Sequence, residues 1–178
     1  MKKHPIRLFL LLLAVYLVFA MPFRVMTLIP GFTDVRPVTA LGPIYGVFFG
    51  PVGWFASACG NTIADAIGDA LRWSSLAGFA ANFFGPCVIW YLWKRYGRHP
   101  FALRTCRDLL FHTGTLLCSA LLEAAIITPA VACAYPDVDA AFFACTVIGN
   151  TFFFPIILGI PLAILMQEEL GFEPYLGE

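Results

Sequence analysis

The sequence predicts an all-α integral membrane fold: one transmembrane domain over residues 1–178, a bundle of six helices with both termini in the cytoplasm. Three observations predict it, namely composition, a series of apolar segments, and the placement of basic residues. Hydrophobic residues make up 60% of the chain and charged residues 12%, about half the charged share of a typical globular protein. A soluble domain of this size has too little interior to hide so much apolar surface. Lipid removes that problem, and the 18 Phe, 6 Tyr and 4 Trp suit a bundle with aromatics at the membrane interfaces. The formal net charge is zero, so no global field points to nucleic acid.

The six segments follow in order, each set against the roughly 20 residues of an upright crossing. They cover residues 6–26, 37–49, 52–67, 75–93, 109–131 and 140–166. The first begins like a signal peptide, with Lys2, Lys3 and Arg7 before an apolar run and Val18-Phe19-Ala20 as a possible cleavage site. The apolar run continues past Ala20, and the charge pattern is consistent when the segment is kept, so it is read as a crossing. The second and third are short and are separated by Gly50-Pro51, a tight-turn signal. Tyr135-Pro136-Asp137 marks the turn before the sixth, within which Pro155 and Pro161 are expected to kink or break the helix.

Orientation follows from the bias of Lys and Arg to cytoplasmic loops. With the N-terminus inside, Lys2, Lys3, Arg7, Lys94, Arg95, Arg98, Arg104 and Arg107 fall inside, and only Arg24, Arg36 and Arg72 outside.

Polar residues inside membrane helices are costly and mark candidate sites. In the third segment Ser57, Asn61, Asp65 and Asp69 recur at every fourth position, one face of a helix. Beside them run Ala56, Gly60, Ala64 and Gly68, a small-residue stripe suited to close helix packing. In the fifth, Thr115, Ser119 and Glu123 share a face. A carboxyl group at Glu123 must be neutral, paired or in a wet cavity, and its own segment holds no basic residue. Thr146 and Asn150 share a face in the sixth segment, Gly78 and Asn82 in the fourth. Each Asn also serves as interhelical glue in the plainer reading. Arg36, entering the second segment, either faces an anionic ligand group or pairs with Asp34 or a lipid phosphate. Trp54, Trp73 and Tyr135 are weaker aromatic candidates.

The chain has no G-x-x-x-x-G-K-[ST], H-E-x-x-H or G-x-S-x-G motif. His4, His99 and His112 do not cluster, and the six Cys form no C-x-x-C pair, so no metal site, cofactor or disulfide framework is expected.

The stretch from Arg36 to about Trp93, about a third of the chain, resembles the substrate-binding membrane subunits (S components) of energy-coupling factor (ECF) transporters. The residues that carry the resemblance are Arg36-Pro37, Gly42-Pro43, Gly46-Val47-Phe48-Phe49-Gly50-Pro51, Gly60-Asn61-Thr62-Ile63-Ala64-Asp65 and Gly78-Phe79-Ala80-Ala81-Asn82-Phe83. The resemblance implies capture of a vitamin, cofactor precursor or similar micronutrient. It also implies delivery through a transmembrane coupling protein and two ATPase subunits, which matches the missing nucleotide loop. The expected ligand contacts are Arg36, Asn61, Asp65, Asn82, Glu123, Thr146 and Asn150. The family often carries A-x-x-x-A in its first helix for the coupling protein. Here Ala14 and Ala20 are six apart, and Ala56, Gly60, Ala64 and Gly68 form a candidate substitute. Two alternatives stand beside this reading: a noncatalytic membrane assembly factor, and a small intramembrane enzyme using Glu123 and Asp65 as acid and base.

Overall fold

The computed structural model describes residues 4–25, 27–29, 33–97 and 101–175. Within them the chain is helical apart from its connections and one short ribbon. Five stretches are long and apolar enough to cross a membrane: Pro5–Phe23, Pro37–Ile67, Ser74–Tyr96, Cys106–Ala134 and Ala140–Glu168. Helix α1 (Pro5–Ala20) starts with its proline in the first turn, where no amide hydrogen is needed. It continues as a tight turn, Met21–Val25, into an antiparallel ribbon of β1 (Thr27–Ile29) and β2 (Thr33–Asp34).

The run Pro37–Ile67 is helical from end to end by length, yet it is not straight. It comprises a 3-10 turn (Pro37–Ala40), α2 (Leu41–Ile44), a π-helical turn (Tyr45–Phe49) and α3 (Gly50–Ile67). Gly50 has φ 55° and ψ −137°, a conformation open to glycine and strained for other residues. Beyond it, Gly53 lies flush on the Tyr45 backbone, where a Cβ would overlap the Tyr45 carbonyl oxygen. Residues eight apart on a straight helix are about 12 Å apart. The chain therefore doubles back at Gly50, where the sequence predicts a turn.

Helix α4 (Ser74–Tyr96) holds Pro86 in its interior. Gly46 lets the preceding arm close on it, since a Cβ there would meet the Pro86 backbone. Helix α5 (Cys106–Ala134) is capped by Thr105, whose hydroxyl accepts from the Asp108 amide at 3.2 Å. Asp139 caps α6 (Ala140–Phe154) in the same way, accepting from the Phe142 amide at 2.9 Å. Pro155 and Pro161 do not interrupt this last run. A π-helical turn, Pro155–Gly159, absorbs the first, and the second sits in the opening turn of α7 (Ile160–Glu168).

Small residues set the helix contacts. Gly60 of α3 lies against the Tyr16 ring of α1, whose Cδ1 is 2.6 Å from where a glycine Cβ would stand. Ala56 and Ala64 join the same core with Leu12, Tyr16 and Ala20. Gly68 does not extend the stripe, because α3 ends at Ile67 and Gly68 is its outward-facing cap. Asp69, just beyond, has φ 53° and also faces outward.

The two ends of the bundle are distinct. One gathers the Gly50 turn, the end of α4, the start of α5 and the chain after α7. There the Tyr175 amide donates to the Val47 carbonyl at 2.7 Å, Trp90 Nε1 donates to the Tyr175 carbonyl at 2.6 Å, and Arg104 pairs with Glu168 at 2.8 Å. The other gathers Arg36, the end of α3, the start of α4, the end of α5 and the start of α6. The six cysteines are free thiols.

Candidate functional site

A cavity opens at the second end, between the arm that begins at Arg36 and helices α3, α4, α5 and α6. The centre of a water-sized sphere can move through about 70 Å³ of it, and its mouth is open to solvent. Each helix supplies one face. From α3 come Asn61 and Asp65, and from α4 Ser74, Ser75, Gly78 and Asn82. From α5 come Glu123, Ile127 and Val131, four apart and thus on one stripe. From α6 come Phe143, Val147, Asn150 and Thr151.

One wall is a tied polar network. Arg36 Nη1 donates to Asn61 Oδ1 at 2.8 Å, and its Nη2 lies 3.3 Å from Asp65 Oδ1. Asn61 Nδ2 donates to Asp65 Oδ2 at 3.4 Å. The Arg36 backbone is held as well, because its amide donates to Asn150 Oδ1 at 3.0 Å. Thr39 completes the link, its hydroxyl lying 2.6 Å from the Asn150 carbonyl and 2.8 Å from the Arg36 carbonyl. Asn150 thus anchors the arm that carries the arginine. Of the alternatives open to Arg36 from the sequence, the structure shows a partner outside them, Asp65. The side chain of Asp34 lies outside the described residues.

The opposite wall is built around Glu123. The residue is buried, and Ser119 Oγ, one turn earlier, donates to its Oε1 at 3.0 Å. Space for the carboxyl group comes from α4. A Cβ on Gly85 would overlap Glu123 Oε1 and stand 2.9 Å from Ser119 Oγ. Asn82, one turn from Gly85, donates its Nδ2 to the Gly78 carbonyl at 2.9 Å. Among the described residues no group of His, Cys, Asp and Glu is arranged to hold a metal ion.

No family model, curated protein or solved structure matches this chain. The site is therefore interpreted from its own geometry.

That geometry brings Arg36, Asn61, Asp65, Asn82, Glu123 and Asn150 to one cavity. Thr146 is not among the lining residues, and its hydroxyl donates to the Phe143 carbonyl of its own helix at 2.7 Å. The cavity-facing row of α6 is Phe143, Val147, Asn150 and Thr151, and Thr146 sits roughly a quarter turn from its centre. Trp54 is buried away from the cavity, stacked edge-on with Phe83 and Trp90. Trp73 points outward, 83% exposed. Tyr135 lies under the Arg72 guanidinium, 5.6 Å from its ring centre. Thr39, Ser74, Ser75 and Thr151 also line the cavity. The two serines had a sequence signal, one turn before Gly78 on the same face, while Thr39 had none.

Proposed function

We propose that this chain is the substrate-capturing S component of an ECF-type transporter. It would sit in the cell membrane and bind a small micronutrient from outside. In this reading it crosses six times, the doubling back at Gly50 separating the second and third crossings, with both termini cytoplasmic. The Gly50 end then faces the cytoplasm and the cavity faces out. The observation that carries the reading is the cavity itself. Five parts of the bundle converge on one polar pocket at one end, in a chain that has no nucleotide loop of its own. Small-molecule sites are concave, with placed polar groups that fix a ligand's orientation. Energy would come from a transmembrane coupling protein and two ATPase subunits, with the chain itself noncatalytic.

Purification from the native host tests this directly. A coupling protein and ATPases should co-purify, and uptake in liposomes should require them and ATP. Full-rate transport by this chain alone would contradict the proposal. Topology is checked separately by cysteine-accessibility labelling, which should find position 137 external and position 98, outside the described residues, cytoplasmic. Both positions on one side would rule out the six-crossing orientation.

A further inference from the structure

The cavity also carries information about the chemistry of its solute, an inference that rests on the capture reading above. Three ionisable side chains line it among the described residues: Arg36, Asp65 and Glu123. Arg36 is committed inside the protein. Its guanidinium meets Asp65 at 3.3 Å and Asn61 at 2.8 Å, and Asn150 fixes its backbone. An anionic solute would have to share that guanidinium with Asp65 and meet the Asp65 charge beside it. Glu123 is placed differently. Ser119 donates to it at 3.0 Å, and among the described residues no basic side chain pairs with it. Its Oε1 packs against Gly85 of α4, where the Cβ of any other residue would push the carboxyl group aside. Asn82 has its amide nitrogen committed to the Gly78 carbonyl, which leaves its Oδ1 as a second acceptor on the same wall. Phe143 and Val147 supply an apolar surface from α6.

We infer that the cavity takes a small solute with a nitrogen-donor face, a protonated amine, an amidine or an amino-substituted ring edge. That face donates N–H groups to Glu123 and to Asn82 Oδ1, and the solute's apolar body rests on Phe143 and Val147. The shape of the pocket is matched by an acceptor pair on one side and an arginine already neutralised on the other. A carboxylate or phosphate head group finds no free cation among the described lining residues.

Benzamidinium and benzoate make the test, because they share a planar ring and a forked head group but carry opposite charge and opposite hydrogen-bonding sense. The purified full-length chain in detergent is titrated with each, read by equilibrium dialysis and by thermal shift. Benzamidinium should bind and raise the melting temperature, and benzoate should do neither. E123Q should weaken benzamidinium at least about tenfold, as loss of a charge-assisted bond does. The melting temperature of E123Q without solute checks that the variant folds, and G85A, which keeps the carboxyl group but crowds it, should also weaken binding. Preference for benzoate, no binding of benzamidinium, or equal benzamidinium affinity in wild type, E123Q and G85A would overturn the inference. Co-purification of coupling protein and ATPases together with a benzoate preference would remove this inference and leave the capture reading standing. Benzamidinium binding without such partners would do the reverse.

Discussion

The two ends of the bundle bury polar groups in opposite ways. At the Gly50 end, Trp93 is 1% exposed and packs against Phe101, Phe111 and His112, with ring centres 4.6, 5.0 and 5.9 Å away. Its Nε1 donates to His112 Nδ1 at 2.9 Å, and Thr115 donates to the His112 carbonyl at 2.7 Å. Tyr45 donates to the Leu12 carbonyl at 2.6 Å. These polar atoms are spent on each other and on backbone, and aromatic rings fill the space between them. At the Arg36 end, polar side chains also bond to each other, but the helices stand apart and leave a cavity. The difference teaches that polarity within an apolar helix is not by itself a sign of a site. His112 and Thr115 are as polar as Asn82 and Asn150. What separates them is whether large side chains close over them. Behind the cavity wall Gly85 lets the Glu123 carboxyl group pack against α4, whereas at the other end Gly46 and Gly53 are used to press backbones together.

The comparison predicts a ranked set of effects. Trp93→Ala should have the largest, about 3–5 kcal/mol of stability, because it empties the aromatic cluster and strips His112 Nδ1 of a donor. Unfolding in detergent measures it, and solute binding at the far end should be unchanged in the fraction that folds. A loss below about 1 kcal/mol would mean that the closed end is not tightly packed. Gly60→Leu comes next, at about 1–3 kcal/mol or more, since the side chain must enter the Tyr16 ring. Ile63→Leu, off the stripe and facing outward, should stay within about 0.5 kcal/mol. Equal stability of the two variants would place the small-residue stripe away from α1.

Glu123→Ala should act on binding rather than on folding. Removal of the carboxyl group should weaken solute binding at least about tenfold, equivalent to about 1.4 kcal/mol, while the protein still folds in detergent. Wild-type binding with easier unfolding would make Glu123 a structural residue packed between α5 and Gly85 of α4, and would erase the contrast between the two ends. The smallest effect belongs to Thr146→Val. The hydroxyl bonds within its own helix and lies off the cavity row, so binding should not change and stability should move by about 0.5 kcal/mol or less. A clear loss of binding would show that the cavity reaches further around α6.

Much of this arrangement is legible in local sequence because its causes are local. Apolar runs of the right length set where the long helices lie. Gly50-Pro51 marks the reversal because φ 55° together with ψ −137° is open to glycine and strained for other residues. Fourfold spacing places Asn61 with Asp65, and Ser119 with Glu123, because a helix repeats every 3.6 residues. The small stripe at Ala56, Gly60 and Ala64 signals close approach, although spacing could not say that its partner is α1 or that Gly68 lies past the helix end. Periodicity also gives a face without its aim, which is why Thr146 shares a stripe with Asn150 yet misses the cavity. Only the tertiary structure decided the pairings across helices: Arg36 with Asp65 and Asn61, Asn150 with the Arg36 amide, and Gly85 opposite Glu123. Those contacts join residues tens of positions apart, and they depend on how the helices tilt and pack, which no single helix encodes.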